Sequence, residues 1–105
     1  MICANNNLNN LDVSKNTALA ILECFKNNLN NLDVSNNTML TRLYCHYNSL
    51  NSLDVSNNTL LAQLDCANNT SLTTIYVWAG FDFTTPTNSI AILNKDSHQN
   101  FALKP

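Results

Sequence analysis

Charge is scarce in this chain. Only 11% of its 105 residues are Asp, Glu, Lys or Arg, against roughly 25% in ordinary soluble proteins, so another residue type must supply the polar surface. Glycine occurs once and proline twice, which leaves no Gly-rich loop to cradle a phosphate. The cations are Lys15, Lys26, Arg42, Lys95 and Lys104, and the formal net charge is -2. That is no basic stripe for nucleic acid. No apolar run approaches the roughly 18 residues of a membrane span, so no membrane insertion is expected. Met1-Ile2-Cys3-Ala4 passes directly into Asn-rich sequence, with neither the charged nor the apolar region of a signal peptide. The expectation is either a cytoplasmic chain or the excised end of a longer exported protein, which would be extracellular or at the cell surface.

What the chain has instead is asparagine, 21 residues of it, beside 16 leucines. Asn tracts also occur in disordered sequence, but here regularly spaced Leu interrupts them. Leu11-Asp12-Val13-Ser14 returns as Leu32-Asp33-Val34-Ser35 and Leu53-Asp54-Val55-Ser56, a displacement of 21 residues each time. Cys3, Cys24, Cys45 and Cys66 keep the same beat, as do Asn6, Asn27, Asn48 and Asn69 and likewise Thr17, Thr38 and Thr59. Each unit is double: Leu40-x-x-Leu43-x-Cys45-x-x-Asn48 is followed by Leu50-x-x-Leu53-x-Val55-x-x-Asn58. Neither half is long enough for a helix. The alternation in Leu43-x-Cys45 and Leu53-x-Val55 is the period-2 signature of short strands with one buried face. Two short strands per coil on opposite sides, joined by tight Asn-bearing turns, would stack about 4.8 Å apart into two narrow parallel sheets around a thin core.

The pattern Leu-x-x-Leu-x-Cys-x-x-Asn-x-Leu resembles the leucine-rich repeat, and the nested 21-residue form is similar to a bacterial variant sometimes called IRREKO, found in surface and secreted proteins. The resemblance covers about residues 1–77. It implies a right-handed solenoid and a role in protein recognition or adhesion. Most leucine-rich repeats carry longer units with a helix on the convex side, and the absence of such a helix favours a flat stack over a horseshoe. The expected fold is therefore a β-rich leucine-rich-repeat solenoid with short parallel strands on two sides of each coil.

The fourth copy decays: Ile75-Tyr76-Val77 stands in for Leu-Asp-Val, and an aromatic stretch with the single glycine follows. Terminal repeats are atypical because the last coil would leave its core open. Residues 78–105 are expected to be a C-terminal cap, with Trp78, Phe81, Phe83, Ile90, Ile92 and Phe101 as packing groups. A carbohydrate-stacking patch is the functional alternative for these aromatics. Met1 falls in the slot of Leu22, Leu43 and Leu64, so the first coil starts partway through. An uncovered coil exposes apolar side chains and an edge strand, which points to a longer parent protein or to self-association through this end.

Four cysteines 21 residues apart lack zinc-site spacing, and stacked in a line about 14 Å long at the strand spacing they could not wrap an ion. Buried free thiols acting as small apolar residues are expected, and no metal site or cofactor. The column Asp12, Asp33, Asp54 resembles a calcium-binding array only superficially, because the Gly-rich turns of such arrays are missing; bonding to neighbouring backbone or to Ser and Asn is the structural expectation. The Asn columns are suited to left-handed turns and to pairing the backbone groups that tight coils leave over. His46 and His98 join no catalytic arrangement, so no catalytic residues and no enzyme are expected.

In repeat proteins the repeated positions build the scaffold and the variable ones the binding surface. The variable slots on the Cys half hold Ile21, Glu23, Phe25 and Lys26, then Arg42, Tyr44, His46 and Tyr47, then Gln63, Asp65, Ala67 and Asn68. The candidate binding face is the strip made by Glu23, Phe25, Lys26, Arg42, Tyr44, His46, Tyr47, Gln63 and Asp65, whose Arg and Tyr are residue types enriched at interface hot spots. Its expected partner is a protein, or alternatively a glycan. The competing reading is a structural spacer with no ligand of its own.

Overall fold

The computed structural model describes residues 1–105. The chain winds as a β-solenoid whose coils stack through parallel strands. One sheet, here sheet A, consists of β1 (Ile21–Glu23), β2 (Arg42–Tyr44), β4 (Gln63–Asp65) and β6 (Ile92–Asn94), in the order β1-β2-β4-β6. The opposite sheet B consists of β3 (Leu53–Asp54), β5 (Thr74–Val77) and β7 (Asn100–Leu103), in that order. Sheet A stacks identical slots: Leu22 pairs with Leu43, Leu43 with Leu64 and Leu64 with Leu93. Coil zero of this ladder is only a bridge from Ile2 to Glu23.

The inward side chains of the two halves meet as one core. Leu22, Leu43, Cys24 and Cys45 are sealed from solvent against Leu32, Val34, Leu53 and Val55. Burial of this apolar strip is the main stabilising term. Leucine in the Leu slots and cysteine in the narrower slot let neighbouring coils nest at strand spacing. The thiols of Cys24, Cys45 and Cys66 are buried and unbridged, and Cys3 in the first coil is half-exposed.

A solenoid must also satisfy backbone groups at its corners, and the asparagines do this. Nδ2 of Asn48 donates to the carbonyls of Cys45 and Cys24, each at 3.1 Å, while its Oδ1 accepts from the Leu29 N–H at 3.0 Å. Asn69 repeats the set on Cys66, Cys45 and Leu50, and Asn27 on Cys24, Cys3 and Leu8. Each amide thereby ties its own coil to the previous one. A second column at the other corner uses Asn37 on Val13 and Asn16, and Asn58 on Val34 and Asn37.

The second half of the coil departs from expectation. Leu11–Val13 and Leu32–Val34 are not strands, and sheet B begins only at Leu53. The hydrogen bonds of the aspartate column are the same in all three coils, including Asp54 within β3, so what differs is the residue facing each aspartate in the next coil. Each carboxylate accepts the N–H of the Ser two residues on (Asp12 from Ser14, Asp33 from Ser35, Asp54 from Ser56, all at 2.9 Å), which bends the chain just after the short extended segment. Asp33 also faces the like charge of Asp54, and like charges directly opposed across strands are destabilising. Where Tyr76 and Ala102 fill the slot the ladder becomes regular.

Residues 78–105 add one strand to each sheet, β6 and β7. Between β5 and β6 a loop with a single 3-10 turn at Pro86–Asn88 carries Phe81 and Ile90 into the core. Trp78 and Phe101 are partly buried against it, Trp78 edge-on to Phe81 at 5.4 Å. Phe83 and Ile92 correct the expected packing set, being 48% and 58% exposed. Ile92 faces out because Leu93 takes the inward slot of the same strand. Gln99, fully buried, takes over the corner role of asparagine: its Nε2 donates to the carbonyls of Cys66 and Asn69, and its Oε1 accepts from the Asp96 N–H.

Candidate functional site

The period-2 pleat that buries Leu22, Leu43 and Leu64 sends their neighbours outward onto one face. Three columns result. Ile21, Arg42 and Gln63 share one register and Glu23, Tyr44 and Asp65 the next; Phe25, His46 and Ala67 follow two residues on. At 4.8 Å per coil side chains within a column touch, and the expected strip forms one connected network.

At its upper end Arg42 sits 3.6 Å from Glu23 and donates through Nε to Gln63 Oε1 at 3.2 Å. The same oxygen accepts the Tyr44 hydroxyl at 2.9 Å, and the guanidinium lies over the Tyr44 ring. At its centre the His46 ring stacks on Phe25, 4.5 Å apart and 10° from parallel. Tyr44 and Tyr47 meet His46 edge-on from two sides, at 6.1 and 5.8 Å. His46 Nδ1 is buried without a hydrogen-bond partner, 3.4 Å from Asp65 Oδ2. Lys26 lies over the Tyr47 ring at 5.9 Å. All nine expected residues are thus on one face.

Beyond those nine, the strip continues onto β6. Asn94 pairs in register with Asp65 and donates to its carboxylate at 3.3 Å, and Ile92 lies beside Gln63. The alternation Ile92-Leu93-Asn94 was the available signal, but it arrives 29 residues after its partners instead of 21, so the beat of the repeat does not reach it.

The turn that ends each sheet A segment requires a left-handed residue. Asn5, Lys26, Tyr47 and Asn68 occupy it, with φ of 61°, 55°, 55° and 58°. Asn tolerates this conformation, whereas bulky side chains adopt it at a cost of about 1–2 kcal/mol. In the two central coils the scaffold therefore carries Lys26 and Tyr47 where Asn would suit it better, and both are exposed. Behind the strip, burial pushes the Cys45 thiol well above its ordinary value, and the neighbouring thiols and Asp65 add to the effect. Inert neutral thiols are what such a setting produces.

The surface concavities lie elsewhere. A polar groove of about 250 Å³ on the aspartate side is lined by Asn31, Asp33, Ser35, Asp54 and Asn57, with Lys104 reaching Asp54 at 2.7 Å. A second of about 360 Å³ lies between Phe83, Pro86, Lys95 and Phe101. The strip itself is open, as suits a macromolecular partner better than an enclosed small molecule.

No protein-family model matches the chain, and no curated protein does. Among solved structures it is similar to the functional domain of InlJ from Listeria monocytogenes, described as including a cysteine ladder. The two are 35% identical and superimpose with a TM-score of 0.70, over 100% of this chain and 26% of that one. The chain thus spans about a quarter of that protein domain's length. Its fold is a leucine-rich-repeat β-solenoid.

Proposed function

We propose that this chain is a non-catalytic recognition module of a bacterial surface or secreted leucine-rich-repeat protein, which binds a protein partner through the outward face of sheet A. One observation carries the reading: the slots that face outward on sheet A differ from coil to coil, while the opposite half repeats Asp, Ser and Asn. A scaffold is free to repeat itself on both faces. Lys26 and Tyr47, held in a conformation that disfavours them, follow the pattern in which local strain marks a functional surface. The likeness to a bacterial domain described as functional, that of InlJ, supports a module of this kind.

The second reading is a spacer, and it draws on the way Arg42, Tyr44 and Gln63 satisfy one another. A capture experiment separates the two. Immobilised protein is incubated with host cell-surface extract beside a variant carrying Arg42→Ala, Tyr44→Ala, His46→Ala and Tyr47→Ala, whose fold is checked by circular dichroism. A partner retained by the wild type and lost by the folded variant is the expected result. Equal retention, or none, would leave the spacer ahead.

A further inference from the structure

We infer that the Lys26–Tyr47 corner anchors an acidic peptide segment of the partner, a carboxylate meeting Lys26 and an apolar or aromatic side chain meeting the rim of Tyr47, His46 and Phe25. The inference rests on the recognition reading above and specifies the chemistry of its partner. Glu23 faces Arg42 at 3.6 Å. Asp65 accepts hydrogen bonds from the Ala67 N–H and from Asn94, with His46 beside it. Lys26 alone has no carboxylate within ion-pairing distance. The strip is neutral overall, since Asp65 also lacks a cation of its own, but Lys26 is its one cation without an ion partner, and it stands at the most exposed aromatic ring, Tyr47, which is 52% exposed.

The backbone places this pair deliberately at the turn. A residue with positive φ points its side chain toward the corner of the coil, at the margin of the columns, where Tyr47 touches only the edge of the His46 ring. In adjacent coils at strand spacing, Lys26 and Tyr47 reach each other (5.9 Å) and present a charge beside a ring. A charge-assisted contact with a partner carboxylate would be reinforced by that ring, which already stabilises the cation. The geometry favours a peptide over a sugar. Stacking a pyranose needs an open aromatic face, whereas Phe25 and His46 cover one another and Lys26 lies over Tyr47. What remains open is ring edge and hydroxyl, suited to side chains of an extended segment crossing the parallel strands.

The test uses labelled copolymers as probes, read by fluorescence anisotropy against the full chain: poly(Glu,Tyr), poly(Glu), poly(Lys,Tyr), and hyaluronan as a uronic-acid polysaccharide. The variants are Lys26→Asn and Tyr47→Asn, each introducing the residue that Asn5 and Asn68 already supply at this turn, so the fold is kept. Lys15→Asn is the charge control, since Asn36 and Asn57 fill that slot in later coils. Poly(Glu,Tyr) should bind the wild type, more tightly than poly(Glu). Each of Lys26→Asn and Tyr47→Asn should weaken it about tenfold, with Lys15→Asn within about twofold. Equal losses for Lys15→Asn and Lys26→Asn, equal binding of poly(Lys,Tyr), or tighter binding of hyaluronan would overturn the assignment. If no copolymer binds while the four-residue strip variant still loses its captured partner, the anchor fails and the recognition face stands. If capture is also unaffected, both fail.

Discussion

Alkaline pH should unfold this protein through its cysteines. Burial raises the thiols of Cys24 and Cys66 from 9.0 to about 12 and that of Cys45 well above its ordinary value. In the unfolded chain all three ionise near 9; in the folded chain they keep their protons. The unfolded state therefore binds fewer protons as pH rises past 9, and stability, fully present below that value, falls. Between pH 8 and 10 each thiol should remove on the order of 1 kcal/mol, and the three together a few kcal/mol. A domain of this size holds only about 5–15 kcal/mol in total. The assay is urea unfolding followed by far-UV circular dichroism from pH 7 to 10 under a thiol reductant. Cys45→Ala should reduce the alkaline loss by about a third, whatever it does to stability at pH 7. An unchanged pH dependence in Cys45→Ala would refute the reasoning, because it would assign the alkaline transition to other groups. Rapid reaction of the folded protein with a thiol reagent at pH 8 in a Cys3→Ala background, where the half-exposed thiol is gone, would refute it equally.

Asn48→Leu should be among the most destabilising single changes. It fills the space with apolar atoms yet strands the buried N–H of Leu29, at about 1–3 kcal/mol, and removes one of the two amide donors at each of the Cys24 and Cys45 carbonyls, which keep only Asn27 and Asn69. A thermal melt should show little or no cooperative transition, while Asn6→Ala in the exposed first coil retains one. Tyr47→Asn should stabilise the protein by about 1 kcal/mol by relieving its left-handed backbone, a rise of about 4–8 °C in melting temperature; a fall would mean that the ring contacts outweigh the strain. Acid should loosen the aspartate side. Hydrogen bonds from Ser14 and Ser35 hold Asp12 and Asp33 below the usual carboxylate range. Burial pushes Asp54 up, but Lys104 and Ser56 more than reverse it, and Lys104 is raised in turn by Asp54. These contributions are present above about pH 4 and are lost as pH falls through the lowered values. Asp54→Asn should flatten the acid limb of a stability–pH curve, and an unaltered limb would locate it elsewhere.

Much of this molecule was legible as a line of letters, because a repeat protein reduces folding to nearest-neighbour stacking. The recurrence of Leu, Cys and Asn every 21 residues with an alternation of two dictates which side chains point inward. The buried set Leu22, Cys24, Leu43, Cys45, Leu64 and Cys66 follows directly, and so does the shared outward face of Arg42, Tyr44 and their neighbours. The beat also predicts the asparagine corners, since the same orphan backbone groups recur in every coil.

Other features depend on which groups meet once the coils are stacked, and periodicity carries no information about that. Sheet B forms only from Leu53 on, where Asp54 faces Tyr76 across the coils, while Asp33 faces the like charge of Asp54. The last coil returns to both sheets after a non-repeating loop, so Ile92 and Asn94 rejoin the strip and Gln99 replaces an asparagine out of phase. Whether a charge on the strip is free or neutralised was likewise settled by contacts between coils. Glu23 meets Arg42, His46 lies on Phe25, and Lys26 is left beside Tyr47 because the turn places both at the margin of the strip, away from any carboxylate. Sequence by itself determined the period, the core and the face; tertiary structure alone decided where the ladder breaks and which side chains remain unpaired, because pairing energies are set by distances between coils that sequence spacing does not contain.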